Sequence, residues 1–239
     1  MEVKNYLYGY DKLGIIQDTK MFAVSIDSLL LPNFITINKN IKKILDIGCG
    51  NAPIPLILST KTKAKIIGVE IQEKVYELAC KSVKINNLED RIKIINADIN
   101  IISKEFETDS FDIITCNPPF FKVNKESNFN NSDYKTFARH EVALNLEQIC
   151  KIAKKLLKNN GIIGLVHRPE RLIDIIDYMQ KNNLEPKKIQ FIYPKKGKEA
   201  NILLIEGRKN GKPGIKILDP IYLNMDDGKY TEQVLNLLK

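Results

Sequence analysis

The chain has 239 residues, 44% of them hydrophobic and 28% charged, enough to bury a sizeable core without disulfides or a metal as staples. Its 37 lysines and arginines against 29 acids give a formal net charge of +8, which suits an anionic partner such as nucleic acid. No signal-peptide core follows Met1, no apolar run approaches the roughly 18 residues of a membrane span, and Cys49, Cys80, Cys116 and Cys150 are scattered through apolar runs; a cytoplasmic protein with reduced thiols, no metal site and no membrane contact is expected.

In chain order, Tyr6-Leu7-Tyr8 and Leu13-Gly14-Ile15-Ile16 read as a hairpin, followed by a helix from about Ser25 to Phe34 that Ser25 caps. Asp27 in its first turn reads as an acid favoured by the helix dipole. Next, Lys43-Ile44-Leu45-Asp46-Ile47 reads as a strand entering Gly48-Cys49-Gly50 and then a helix through Ile54-Pro55-Leu56-Ile57-Leu58. Glycines there let the backbone pass close to a ligand, with a helix start behind it. A dinucleotide fingerprint wants glycine where Pro53 stands, and Asp46 would repel a pyrophosphate, so a ligand bearing an ammonium fits better.

Two further strand runs, Lys65–Glu70 and Ile92–Asp98, each end in an acid. Glu70 stands where nucleotide-binding α/β folds grip ribose hydroxyls, and Asp98 can accept from an adenine amine. Between them Val75, Leu78, Ala79, Ser82 and Val83 recur at helical spacing, predicting a helix over 73–86. One acid alone commonly does no more than solvate a strand end; three at successive strand tips point to a ligand crevice.

The strand run Phe111–Cys116 stops at Asn117-Pro118-Pro119-Phe120, because two prolines cannot continue a central strand. The Asn117 amide oxygen and the Pro118 carbonyl can accept both protons of an exocyclic amine while Phe120 stacks on its ring, which is the chemistry of methylating a planar amine; a Pro-Pro turn capped by Asn117 is the structural alternative. A polar stretch from Lys122 to Tyr134 reads as a lid or substrate loop, and Arg139-His140 after it as substrate contacts or helix-start structure rather than a general base. A helix over 146–157 stopped by Asn159-Asn160-Gly161, a strand over 162–166, a helix over 172–181 and strands over 189–193 and 201–205 complete the alternation of a parallel, doubly wound sheet. Lys187, Lys188, Lys195, Lys196, Lys198, Arg208, Lys209 and Lys212 crowd the last third and read as a phosphate track or as ordinary solvated surface. With no repeat and no linker, one domain over 1–239 is expected.

These motifs resemble the S-adenosylmethionine-dependent, Rossmann-like methyltransferases, and among them the amino-methyltransferases with an Asn-Pro-Pro-aromatic turn. Leu13-Gly14-Ile15-Ile16-Gln17, the stretch Phe22–Leu31, Ala138-Arg139-His140-Glu141, His167–Leu172, Glu199-Ala200-Asn201 and Ile205-Glu206-Gly207 are similar, more narrowly, to the bacterial tRNA(Val) adenine-N6 methyltransferase family, from about Tyr8 to Leu238. The resemblance implies a mostly parallel seven-stranded sheet with an antiparallel edge strand, residues 1–40 covering the cofactor and 41–239 forming the catalytic core. It implies S-adenosylmethionine held by Asp27, Asp46, Gly48, Gly50, Glu70, Ile71, Asp98 and Asn117, with Asn117, Pro118, Pro119 and Phe120 at the reacting amine. It implies tRNA as partner, methylated at the adenine 3′ of the anticodon and contacted by Phe121, Arg139 and His140, while the basic last third offers Lys195, Lys196 and Lys198 as contacts to its phosphates. Two departures stand out: Phe120 where the family often has Tyr, and Ala52 where many methyltransferases have a third glycine, a change expected to tighten the turn. A protein-glutamine methyltransferase, an rRNA or DNA adenine methyltransferase and a catalytically silent RNA-binding module remain open readings.

Overall fold

A computed structural model describes residues 1–21, 23–118 and 145–238. Pro119, Phe120, Phe121, the stretch 122–134, Arg139 and His140 lie outside the described residues.

The chain opens with an antiparallel hairpin, β1 (Glu2–Leu7) and β2 (Tyr10–Asp18), followed by α1 (Ile26–Phe34). Ser25 occupies the N-cap position of α1 but makes no side-chain cap bond, contrary to expectation. Five parallel strands follow: β3 (Lys43–Ile47), β4 (Lys65–Glu70), β5 (Ile92–Asn96), β6 (Phe111–Cys116) and β7 (Leu157–His167). With β8 (Leu184–Tyr193) and β9 (Ile202–Lys209) they form a seven-strand core in the order β8-β9-β7-β6-β3-β4-β5. β9 runs antiparallel to both its neighbours, and two-residue strands β10 (Lys216–Ile217) and β11 (Ile221–Tyr222) line the outer side of β8.

Strand residues alternate between two faces, each closed by helices. Ile44, Ile66, Ile113 and Val166 pack under α1, α2 (Pro53–Lys61), α3 (Glu73–Ile85), the hairpin and α7 (Glu232–Leu237). Leu45, Val69, Ile114 and Leu165 face α4 (Ile99–Ile102), α5 (Leu146–Leu156) and α6 (Leu172–Lys181). The chain runs outward from β3 through β4 to β5, then returns to place β6 on the other side of β3. That reversal opens a crevice beyond the carboxyl ends of β3 and β6, where ligands of open α/β sheets bind.

Several boundaries differ from the sequence reading. β5 stops at Asn96, and Asp98 caps α4 instead. The Asn159-Asn160-Gly161 stretch, expected to stop a helix, lies inside β7, because the helix already ends at Leu156 and Leu157 is extended. β8 starts at Leu184, its buried positions hidden among Glu185, Lys187 and Lys188.

The basic last third is divided between two ends of the sheet. Lys188 faces Glu206 across β8 and β9, with Nζ 3.0 Å from Oε2 and side chains 18% and 3% exposed. The same Nζ donates to the Phe34 carbonyl at 2.6 Å and Thr36 Oγ1 at 3.0 Å, while the Thr36 amide donates to Glu206 Oε2 at 2.8 Å. Lys188 therefore pins the end of α1 to the sheet and is no part of a phosphate track. Lys209 is paired with Asp109, Lys187 donates to the Lys212 carbonyl at 2.9 Å, and Arg208 donates to the Asn160 carbonyl at 3.2 Å. These groups hold loops at the opposite end from the crevice.

Removing one partner of a buried pair strands the other, at a typical cost of about 3–5 kcal/mol. Lys188→Met should lower the unfolding free energy by about that much, and adding Glu206→Gln should restore part of it. Urea denaturation of the two variants checks this; strictly additive losses would show that the two charges do not depend on each other.

Candidate active site

The turn after β3 is built from left-handed backbone: Gly48, Gly50 and Ala52 have φ of 67°, 56° and 73°. Glycine takes such angles freely, whereas an L-residue such as Ala52 carries roughly 1–2 kcal/mol of local strain. Ala52 is fully buried and forms the N-cap of α2, with Pro53 in the first helical turn, so packing holds the strained angle in place. A Cβ on Gly48 or Gly50 would meet none of the described residues within 4 Å, and both glycines line the cavity described below. The Gly48 and Cys49 amides donate to the Val69 carbonyl at 2.9 and 3.1 Å. Glu70 completes the hold: Oε2 accepts from the Gly50 amide at 3.0 Å and Oε1 from the Gln72 amide at 2.9 Å. Each oxygen keeps a further lone pair for a ligand hydroxyl.

Behind the turn lies Asp46, in register with Thr115 on β6 and Gly68 on β4. Its side chain is completely buried; Thr115 Oγ1 donates to Oδ1 at 2.6 Å, and Oδ2 has no partner among the described residues. Burial pushes its pKa up to about 7 against the lowering effect of the Thr115 bond, and the nearby Glu70 charge adds to the rise. Asp46 was expected to contact a cofactor, but it stands behind the cavity wall rather than in it.

The cavity itself has a volume of about 660 Å³. Gly48, Gly50, Glu70, Ile71, Asp98 and Asn117 all meet in its wall, as does Asp27. Ile71 is 44% exposed, an apolar surface facing the space, and the Asp98 Oδ1 accepts from the Asn100 amide at 2.8 Å to cap α4. The roof is drawn from the end of β2 and the first turn of α1, with Gln17, Asp18, Lys20, Val24, Asp27 and Ser28 among its residues. The hairpin that leads into it is fastened by three bonds. Asn51 Nδ2 donates to the Ile16 carbonyl at 3.0 Å, the Ile16 amide to Ser82 Oγ at 2.9 Å, and the Gly14 amide to Asn86 Oδ1 at 2.9 Å.

At the far end Asn117 Nδ2 donates to Ser28 Oγ at 3.0 Å. Neither Asn117 Oδ1 nor the Pro118 carbonyl has a hydrogen-bond partner among the described residues. Two consecutive residues thus each keep an open acceptor. Burial raises the pKa of Asp27, with the Arg168 guanidinium pulling it back, and both residues line this end. His167 is buried and its pKa falls to about 4, chiefly through burial, so it is neutral at pH 7; its Nδ1 accepts from the Arg168 amide at 2.8 Å. Lys195, Lys196 and Lys198 lie in the connection from β8 to β9, on the same end of the sheet as Asn117 and Arg168. Lys195 makes a 3.6 Å surface pair with Asp226. Arg168 Nη1 donates to the Asn201 carbonyl at 2.8 Å and ties this connection to the end of β7.

Sequence reading missed Ser28, Thr115 and Arg168. Thr115 had a visible signal, one hydroxyl within the apolar run of β6, but its partnership with Asp46 requires the register. Ser28 stands three residues after Ser25, which a capping pattern absorbs without further meaning.

The S-adenosylmethionine implied by resemblance fits this wall on its own chemistry. Two glycines open to the cavity, a carboxylate at the tip of β4 with spare lone pairs, an exposed isoleucine and an orphaned buried carboxylate oxygen behind the turn match an aminoacyl nucleoside bearing positive charge.

Residues 38–206 match the methyltransferase-domain family. A tRNA1(Val) (adenine(37)-N6)-methyltransferase of Flavobacterium psychrophilum is 26% identical over 98% of this chain and 97% of its own length. One from Porphyromonas gingivalis is 34% identical over 69% of this chain and 64% of its length. Among solved structures, a predicted O-methyltransferase from Agrobacterium tumefaciens superposes with a TM-score of 0.70 at 18% identity, covering 89% of this chain and 95% of that one.

Asp46 also makes stability depend on pH. Its folded pKa of about 7 lies above the ordinary value of 3.8, so the folded chain keeps a proton that the unfolded chain releases between those values. Its contribution is therefore fully present at acid pH, declines as pH rises through that window and is flat above it. Asp46→Asn should lack this component. The stability of the parent minus that of the variant, from urea unfolding at a series of pH values, should fall with rising pH up to about 7; a difference independent of pH would show that Asp46 ionises normally.

Proposed function

Because the chain belongs to the methyltransferase-domain family, we propose that it transfers the methyl group of S-adenosylmethionine to the exocyclic N6 of an adenine in tRNA, the adenine 3′ of the anticodon. The observation that carries the choice of an amine is the pair of open acceptors, Asn117 Oδ1 and the Pro118 carbonyl, at the end of the cavity. An exocyclic amine has two N–H donors to match them.

In this reading Gly48 and Gly50 take the methionine end of the cofactor, with Asp46 behind them. Glu70 takes the ribose hydroxyls, Ile71 and Asp98 the adenine, and Asp27 the end beneath α1. Bound there, S-adenosylmethionine supplies a methyl carbon activated by a positively charged sulfur. Asn117 and Pro118 hold both N6 protons of the target, which draws the nitrogen lone pair out of conjugation with the ring. Loss of one of those protons follows formation of the N–C bond and needs no dedicated base, since the methylated amine is strongly acidic until it gives the proton to water. A buried neutral His167 agrees with that economy. The site then works by positioning and by charge complementarity.

The proposal assigns Phe120, with Pro119 before it, to stacking on the target base, and Phe121, Arg139 and His140 to substrate contact. Lys195, Lys196 and Lys198 follow tRNA phosphates. The target adenine must leave its stack to enter, which costs a few kcal/mol and least in a single-stranded loop. With a tRNA substrate, a cytoplasmic location is part of this proposal.

Asn117→Ala should lower turnover on unmodified tRNA by about 10²–10³-fold, as loss of an oriented polar group does elsewhere. Calorimetric affinity for S-adenosylhomocysteine should stay within about twofold of the parent, because Asn117 serves the amine; turnover kept within about threefold would refute its role. For the triple change of Lys195, Lys196 and Lys198 to Ala, the slope of log affinity for tRNA against log salt should fall by roughly 0.7–0.9 for each phosphate no longer neutralised. An unchanged slope would remove these lysines from the tRNA path.

A further inference from the structure

A carboxamide has an acceptor end and a donor end of nearly the same shape, and only hydrogen bonding decides which end faces a ligand. At Asn117 that decision rests on one contact, Nδ2 to Ser28 Oγ at 3.0 Å. We propose that Ser28 is the positioning residue of this site: its hydroxyl oxygen holds the amide nitrogen of Asn117, turns Oδ1 into the cavity, and so makes the site select N–H donors. The geometric part stands on the contact itself; the consequence for catalysis rests on the adenine reading above.

A hydroxyl can donate as well as accept, so the orientation depends on where the Ser28 proton goes. Ser25 Oγ, one turn earlier on α1, lies 3.5 Å away and offers it a place, which leaves the Ser28 lone pairs for Asn117. The first turn is itself fixed, since the Ser28 amide donates to the Ser25 carbonyl at 3.2 Å. Ser28 cannot drift from Asn117, because the residues after it are anchored in the core. Leu29, Leu30 and Leu31 are buried, Asn33 Nδ2 donates to the Leu29 carbonyl at 2.8 Å and to Tyr10 Oη at 2.9 Å, and the helix end is held by Glu206 and Lys188. A flipped amide would set a donor against the donors of the target amine and leave the Pro118 carbonyl as a single acceptor. The side chain that decides the polarity of the catalytic turn thus comes from the amino-terminal part of the chain, 89 residues away in sequence.

Two readouts test this. In the first, ¹⁵N-labelled protein is followed by the Asn117 side-chain amide resonances, identified by their loss in Asn117→Asp. One Nδ2 proton should exchange slowly in the parent and in Ser28→Thr, and both should exchange freely in Ser28→Ala. In the second, Ser28→Ala should lower kcat on tRNA by about tenfold or more, the worth of one hydrogen bond, with KM values for cofactor and tRNA little changed, and Ser28→Thr should recover most of the loss. Free exchange of both protons in the parent overturns the proposal whatever the kinetics, as does a Ser28→Ala variant with parental kcat. Should Ser28→Ala fail to fold, the parent and Ser28→Thr still decide through exchange. A parent that protects the proton yet methylates no adenine would support the tether and refute the adenine reading.

Discussion

Glu70 holds the end of β3 and the end of β4 together, and the cavity depends on that hold. Three residues at left-handed angles, one of them an alanine, make a turn that does not persist on backbone preference alone. One carboxylate–amide bond, from the Gly50 amide to Glu70, ties it to β4, the Gln72 amide fixes the other carboxylate oxygen, and the Val69 carbonyl takes two more amides from the turn. Charge-assisted bonds of this kind are about twice as strong as neutral ones. The cost of the strained turn is thus met by the same side chain that is available to a ribose.

Around this turn the sheet supplies position and the amino-terminal segment supplies enclosure. The reversal of strand order at β3 and β6 brings Gly48, Glu70 and Asn117 to one end, although each stands at the carboxyl end of a different strand. The hairpin is fastened to α3 and to Asn51, and α1 is fastened to the sheet by Lys188 and Glu206, so the described residues between Gln17 and Ser28 stand over the cavity between two anchored supports. Electrostatics follow the same geometry. A sealed Asp46 with one orphaned oxygen stands behind the turn, Glu70 stands in the wall, and the cavity end offers open oxygen acceptors, an environment suited to a cationic cofactor and an amine.

Much of this was legible in the sequence because its signals are local. Apolar runs marked β3, β4, β5 and β6, helical spacing marked α3, and the double proline marked the end of β6. The acids at strand tips identified the crevice without knowledge of strand order. What escaped depends on register and on distant partners. That Asp46 is sealed by Thr115 follows only from the pairing of β3 with β6, and that Lys188 is structural follows only from Glu206 facing it across β9. Ser28 reads as part of a helix start until Asn117 is placed beside it. The two-residue strands β10 and β11 carry too few residues for any periodicity. The mixture of lysines in the last third hid the start of β8 and made two separate groups look like one patch.

The most direct test of the central claim uses the purified protein, methyl-labelled S-adenosylmethionine and unmodified tRNA, with the product digested and the label mapped by mass spectrometry. Label in N6-methyladenine at the adenine 3′ of the anticodon is the expected result. Label on a protein glutamine, on another base, or on no nucleoside of any tRNA would contradict it.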